Sequence, residues 1–121
     1  MKKIVLILGL ISISLTNTNN KTGKATYYDT TNHKKVHRTV PTAAYCHAKY
    51  RNMKMVITNL KNKVTDTVTI TDRHSMGSNH VDLSHLAFDR LTQLDTITDK
   101  NKRDRKRKVI GAITVSFKII K

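Results

Sequence analysis

Strict alternation of apolar and polar positions is the clearest pattern in this chain. Residues 53–58 (MKMVIT) place Met53, Met55 and Ile57 on one face, and residues 64–71 (VTDTVTIT) carry a threonine at every second position. Residues 113–119 (ITVSFKI) alternate in the same way. Because successive side chains of a strand point to opposite faces, each of these segments is a predicted β-strand.

Two shorter strands and a helix complete the predicted elements. Residues 23–28 (GKATYY) begin with a turn glycine and form a first strand, and residues 42–45 form a short strand or a helical turn. Ser84 is a suitable N-cap for a helix whose apolar positions are Leu83, Ala87, Leu91 and Leu94. Residues 29–41 and the charged run 98–108 have no apolar period, so we predict loops there. The chain is therefore expected to be mostly β with one or two short helices, and a closed barrel would leave no exposed edges.

The first 20 residues have the order of a secretory signal peptide. Lys2 and Lys3 precede an apolar run at residues 4–15, and polar residues follow. This run is shorter than the roughly 20 residues that span a bilayer, although a buried N-terminal strand or an uncleaved anchor are the alternatives. We predict a signal peptide at residues 1–20, a single domain at residues 21–121, export to the periplasm, cell envelope or exterior, and no transmembrane anchor after processing.

Cysteine content and charge narrow the class of protein further. Cys46 is the single cysteine, so the domain has no intrachain disulfide and must be held by packing. We expect a monomer. The formal net charge of +15 implies an anionic partner. For an exported protein, that partner is peptidoglycan, another anionic wall polysaccharide or lipid head groups. The basic run 100–108 could bind nucleic acid, but with only 5% aromatic residues we expect no nucleic-acid partner.

Six histidines raise the question of a metal site. His74 and His80 flank the same loop as Asp72 and Asp82. Their spacing matches no standard zinc pattern, and exposed histidines are common in polar loops. We predict neither a metal nor a cofactor.

Asp72 and Asp82 stand at the two ends of one polar loop, in a chain with only eight acidic residues. Cleavage of a glycosidic bond needs one acid to protonate the leaving oxygen and a second group to act on the sugar side. A second carboxylate nearby raises the pKa of the first and helps to keep it protonated. The alternative is structural: Asp82 caps the following helix, and Asp72 pairs with Arg73 or another cation.

Several short motifs, in their order along the chain, resemble the rare lipoprotein A (RlpA) family. Residues 23–28 resemble its G-x-A-S/T-Y-Y, and residues 41–44 (PTAA) resemble its M-T-A-A. The family's TNL, valine-rich strand, DR and DLS motifs are matched at residues 58–60, 64–71, 72–73 and 82–84. The resemblance covers about residues 23–119. It implies a six-stranded double-psi β-barrel, a fold shared with expansins and barwin-like proteins.

The resemblance also implies an activity. RlpA-type enzymes are lytic transglycosylases, in which the C6 hydroxyl of muramic acid attacks and peptidoglycan strands are cleaved to 1,6-anhydro ends. Asp72 matches the catalytic aspartate of the family, and Asp82 matches the aspartate of the D-L-S motif. These two are the predicted catalytic residues. The predicted substrate-binding residues are Tyr28, Tyr45, His47, Arg73 and Ser84.

The chain departs from the family pattern at chemically important positions. Lys34 stands where the family has a catalytic glutamate, and the chain contains no glutamate at all. The family's histidine after T-A-A is replaced by Tyr45, with His47 two residues further on, and its glycine-proline pair is replaced by His74 and Ser75. The alternative function is therefore a non-catalytic, expansin-like module that binds or loosens wall polysaccharide.

Overall fold

Six strands close into a barrel in the computed structural model, which describes residues 20–29 and 36–121. The strands are β1 (Lys21–Tyr27), β2 (Thr42–Tyr45), β3 (Lys54–Asn59), β4 (Thr65–Arg73), β5 (His80–Leu83) and β6 (Ile113–Ile120). Around the barrel their order is β1-β5-β2-β4-β3-β6, and β6 pairs with β1 to close it. The pairs β1/β5 and β2/β4 are parallel, and the other four are antiparallel. The predicted six-stranded double-psi β-barrel is confirmed.

The barrel interior is filled by the apolar positions of the alternating strands. Met55 and Ile57 of β3, Val68 and Ile70 of β4, and Val115 of β6 are all at most 1% exposed. Alternation put these residues on one face in the sequence, and burial of that face is the main favourable term for a domain without disulfides.

Three α-helices lie among the described residues, one more than the upper end of the prediction. They are α1 (Val36–Thr39), α2 (His85–Thr92) and α3 (Lys100–Ile110), and two short 3₁₀ turns occupy Ala48–Tyr50 and Leu94–Thr96. The predicted N-cap is confirmed, since the Ser84 hydroxyl accepts a hydrogen bond from the Ala87 amide. Phe88 and Leu91 of α2 are fully buried against the barrel.

The prediction of a charged loop at residues 98–108 is wrong, because most of this run is helix α3. Asp99 caps its first turn by accepting hydrogen bonds from the amides of Asn101 and Lys102. Lys100 pairs with Asp104 one turn later at 2.9 Å. The prediction of a single loop at residues 29–41 needs a similar correction, since α1 lies inside it. The stretch between Asp72 and Ser84 contains β5, which the sequence interpretation treated as part of a loop.

Two predictions concern the N-terminal part of the chain. The predicted signal peptide lies almost wholly outside the described residues. No helix in the described part of the chain is long and apolar enough to cross a membrane.

Candidate functional site

Asp72 and Asp82 lie on either side of the same residue of β2. Ala44 is in register with Asp72 on the parallel strand β4 and with Asp82 on the antiparallel strand β5. Since neighbouring strands are about 4.8 Å apart, the two aspartates are separated by about 10 Å across the sheet. The preceding Ala43 pairs with Ile70 and Leu83, which are both core residues. By alternation, Ala44 and the two aspartates therefore face the outside of the barrel.

An irregularity in β4 makes this arrangement possible. The register between β2 and β4 shifts between Ala43 and Ala44, so that Ala43 pairs with Ile70 but Ala44 pairs with Asp72. One extra residue, Thr71, is accommodated in β4 at this point. Without the shift, strict alternation would place Asp72 on the same inward face as Ile70. Bulges of this kind re-aim side chains near functional sites.

Asp82 is held by a chain of hydrogen bonds. The Thr26 hydroxyl donates to its carboxylate at 2.8 Å, and the same hydroxyl oxygen lies 2.8 Å from Nε2 of His80. Because the single hydroxyl hydrogen is used by Asp82, Nε2 of His80 must be the donor to Thr26. The pKa of His80 is lowered, mainly by burial and also by His74, and the negative charge of Asp82 opposes this shift. The chain of bonds therefore favours a neutral His80 with its hydrogen on Nε2.

Tyr28 places a hydroxyl group near both carboxylates. Its oxygen lies 2.7 Å from the hydroxyl of Thr42, which is fully buried on β2. Burial raises the pKa of Tyr28, hydrogen bonding by Thr42 lowers it, and the charges of Asp72 and Asp82 raise it. The net direction is upward, so Tyr28 stays protonated at neutral pH, and its hydroxyl also lies 3.3 Å from Nδ1 of His37.

The loop between the two aspartates is fixed by its own histidine and by the barrel. The Met76 amide donates to Nδ1 of His74 at 3.0 Å, so Nε2 of His74 carries the hydrogen and donates to the His80 carbonyl at 2.7 Å. The Tyr45 hydroxyl donates to the carbonyl of Ser78 at 2.7 Å. These bonds hold both ends of the loop, and hence the two aspartates, in fixed positions.

The other residues predicted to bind substrate are placed differently from one another. Arg73 is exposed at the end of β4, directly after Asp72. His47 is exposed at the start of a 3₁₀ turn, with its ring centroid 5.9 Å from that of Tyr50. Tyr45 is only 2% exposed and packs in the core, and Ser84 is fully buried and caps α2. The side chains of Tyr45 and Ser84 are therefore buried, where they stabilise the site instead of contacting a ligand.

Two residues of the site were not singled out from the sequence. Thr26 belongs to the motif at residues 23–28, but its bond to Asp82 depends on the parallel pairing of β1 with β5. Ala44 lies between the two aspartates, and only the register reveals this. No local sequence signal marks either role.

Asp72 is exposed to solvent, and Asp82 is partly exposed. Two concavities among the described residues, of about 570 and about 740 Å³, are lined by neither Asp72 nor Asp82. Within residues 20–29 and 36–121, no group of three histidine, cysteine or acidic side chains is arranged to hold a metal ion. Two accessible carboxylates about 10 Å apart suit one side of an extended polymer better than an enclosed small molecule.

Comparison with known proteins establishes the fold. No protein-family model matches the chain, and no curated protein matches it. An expansin from Clavibacter michiganensis is 22% identical with a TM-score of 0.58, and the match covers 84% of this chain and 50% of the expansin. The chain thus spans half the length of that protein. A mutant of the same expansin has been solved in complex with cellohexaose.

Two smaller proteins match over nearly their whole length. Streptomyces papain inhibitor is 21% identical with a TM-score of 0.58, covering 84% of this chain and 94% of the inhibitor. Cerato-platanin 3 from M. perniciosa is 13% identical with the same TM-score, covering 83% of this chain and 94% of its own. At these identities, the likeness shows a common double-psi β-barrel and leaves the function to be argued from the site.

Proposed function

We propose that this protein is an exported, monomeric wall protein that binds a polysaccharide, with peptidoglycan as the preferred substrate, across the outer face of β4, β2 and β5. The observation that carries the proposal is the pairing of Asp72 and Asp82 with one small residue, Ala44, between them. The complex of a fold relative with cellohexaose supports a glycan as the ligand class. The RlpA-like order of motifs supports a wall glycan.

The chemistry of the face fits a glycan. Sugar hydroxyl groups can donate charge-assisted hydrogen bonds to the carboxylates of Asp72 and Asp82. Among the described residues, no hydrogen bond or ion pair engages the carboxylate of Asp72, which is exposed to solvent. The charges of Asp72 and Asp82 both act on Tyr28, whose hydroxyl is within hydrogen-bonding distance of Thr42.

A second candidate function is lytic transglycosylation, favoured by the presence of two carboxylates on one face of the barrel. Asp72 would protonate the leaving glycosidic oxygen while the C6 hydroxyl of muramic acid attacks C1. The bond from C1 to the leaving oxygen breaks, the bond from C1 to O6 forms, and Asp72 recovers a proton from the C6 hydroxyl. Asp82, fixed by Thr26, would stabilise positive charge on the sugar. The reaction would have to proceed without the catalytic glutamate of the RlpA family, because Lys34 stands at that position.

Binding is tested first, with three variants of the purified protein and insoluble sacculi. We expect Asp72→Asn and Asp82→Asn each to weaken binding about tenfold, which is the loss of one charge-assisted hydrogen bond. Asp95→Asn is the matched control, since Asp95 is an exposed aspartate on a separate 3₁₀ turn. Equal binding by all four proteins would refute the proposed binding site at Asp72 and Asp82.

Catalysis is tested by mass spectrometry of the soluble products. The wild-type protein and Asp72→Asn are incubated with glycan-rich peptidoglycan, and products with 1,6-anhydro ends are sought. Such products from the wild type alone would assign the transglycosylase reaction to Asp72. Their absence from both proteins, with binding retained by the wild type, would leave the binding function and exclude the reaction.

A further inference from the structure

Helix α3 has two charged faces that differ in how their charges are compensated. The inner face carries Arg103, Asp104 and Arg107, which form an ion-pair network with Asp89 of α2. The outer face carries Lys102, Arg105 and Lys106, which are all exposed. Their spacing of three and four residues aligns them on one side of the helix together with Val109, which is 87% exposed. We call these four residues the basic stripe.

The cations of the basic stripe have no counterpart in the described part of the chain. No acidic side chain there pairs with Lys102, Arg105 or Lys106, whereas the inner-face cations all have acidic partners. Like charges at these spacings destabilise a helix. Three adjacent cations on an exposed face therefore disfavour the fold locally, and an external anion would relieve their repulsion.

We propose that the basic stripe binds a linear phosphodiester polymer of the cell wall, such as a polyol phosphate. The three cations span about 6 Å along the helix axis, slightly more than one turn, and a chain with regularly spaced negative groups can lie along them. The choice of a wall polymer rests on the export assumed in the proposed function. The basic stripe on α3 is separate from the proposed glycan-binding site at Asp72 and Asp82.

The composition of the stripe argues against the two other polyanionic partners. It contains no aromatic side chain on which bases could stack, which disfavours a nucleic-acid site. It contains no tryptophan, phenylalanine or leucine, and one exposed valine on an 11-residue helix offers little apolar area to a membrane interface. A charged polymer without bases therefore fits the basic stripe best, because it can bind through its charges alone.

The test compares two triple variants of the full chain. Lys102→Gln/Arg105→Gln/Lys106→Gln removes the stripe and keeps good helix formers. Arg51→Gln/Lys61→Gln/Lys121→Gln removes the same residue types from exposed positions elsewhere. The probe is a lipid-free glycerol-phosphate polymer, with binding measured from 50 to 200 mM salt. Circular dichroism verifies that both variants are folded.

We expect the stripe variant to lose at least tenfold in affinity at 100 mM salt and the control variant less than threefold. The slope of log affinity against log salt should flatten by about two for the stripe variant, at roughly 0.7 per cation as for single-stranded nucleic acids. Equal losses in both variants would overturn the proposal, because binding would then depend on overall charge.

Two further probes decide the class of partner. Single-stranded DNA of matched charge and phosphatidylglycerol vesicles are titrated against the same proteins. Tighter stripe-dependent binding to either of them than to the glycerol-phosphate polymer would overturn the assignment to a wall polymer. The variants Asp72→Asn and Asp82→Asn leave the basic stripe intact. They should therefore bind the glycerol-phosphate polymer like the wild type. The proposed glycan-binding site and the proposed role of the basic stripe can therefore be refuted separately.

Discussion

Replacing Arg107 by leucine tests whether α3 is an integral part of the domain. Arg107 is 4% exposed and donates from Nε and Nη2 to the Asp89 carboxylate, at 2.8 and 2.6 Å, and from Nη1 to Asp104 at 2.8 Å. Its guanidinium group also lies 5.8 Å from the centre of the Tyr27 ring. The substitution would leave Asp89, itself 4% exposed, as a buried charge without its bidentate partner.

The magnitude follows from what remains around Asp89. Removing one member of a buried ion pair costs about 3–5 kcal/mol. Arg103 stays 3.6 Å from Asp89 and can compensate in part, so we expect a loss near the lower end, about 3 kcal/mol. That is a large share of the 5–15 kcal/mol that is typical of a whole domain.

The assay is urea unfolding followed by far-ultraviolet circular dichroism. Arg105→Leu, on the exposed face of the same helix, is the control and should change the free energy of unfolding by less than about 0.5 kcal/mol. The double variant Arg107→Leu/Asp89→Leu removes both charges, and we expect it to be more stable than Arg107→Leu alone. A cost below about 1 kcal/mol for Arg107→Leu, or a double variant at the sum of both single losses, would refute this reasoning.

Three other predictions concern the barrel and its loop. Gly23→Ala should lower the free energy of unfolding by about 3 kcal/mol, because the added methyl carbon would lie 1.9 Å from the carbonyl oxygen of Asn79; an unchanged urea midpoint would contradict this contact. Burial, together with Cys46 and Tyr50, raises the pKa of Tyr45 to about 12. The unfolded chain therefore loses this proton first, so stability should fall between pH 10 and 12, and Tyr45→Phe should reduce that fall. Burial is the main cause that lowers the pKa of His80, so the unfolded state binds a proton first and stability should decrease as the pH drops below about 6.5. His80→Gln should reduce this decrease, and an identical pH profile would exclude His80 as its source.

The long strands could be predicted because their inward faces are apolar along several consecutive pairs of residues. In β3 and β4, the buried positions Met55, Ile57, Val68 and Ile70 alternate with polar or half-buried ones, and that period is visible in the sequence alone. Strand β5 has only four residues, too few to show a period. Its pairing with β1 and β2 is what makes it a strand.

Helix α3 was missed because it has no apolar stripe, although its Asp99 N-cap, its Lys100–Asp104 pair and the glycine after its end are local helix signals. Arg107 looks like one cation among many in the run 100–108, and only the position of Asp89, 18 residues earlier, makes it a buried anchor. Hydrophobic periodicity carries no information about a helix that is attached by charges. Net composition correctly indicates an excess of cations, but it does not distinguish the compensated face from the exposed one.

The candidate site was predicted in part. The motif order identified Asp72 and Asp82, and the structure brings Tyr28 close to both. The intervening Ala44 and the support of Asp82 by Thr26 depend on strand register, which no local pattern specifies. Burial of Tyr45 and Ser84 likewise follows from packing between elements that are far apart in the sequence.

The register shift beside Ala44 makes the site sensitive to the number of residues in β4 as well as to their identity. Deleting Thr71 would remove the extra residue and place Asp72 directly after Ile70, so that regular alternation would still turn Asp72 outward without any bulge. A single insertion between Thr71 and Asp72, with the register shift unchanged, would instead turn Asp72 toward the barrel interior, although every proposed glycan-binding residue would remain in the chain. Among homologous sequences, a one-residue insertion at this point would therefore separate proteins that share the aspartate from proteins that can present it to a ligand.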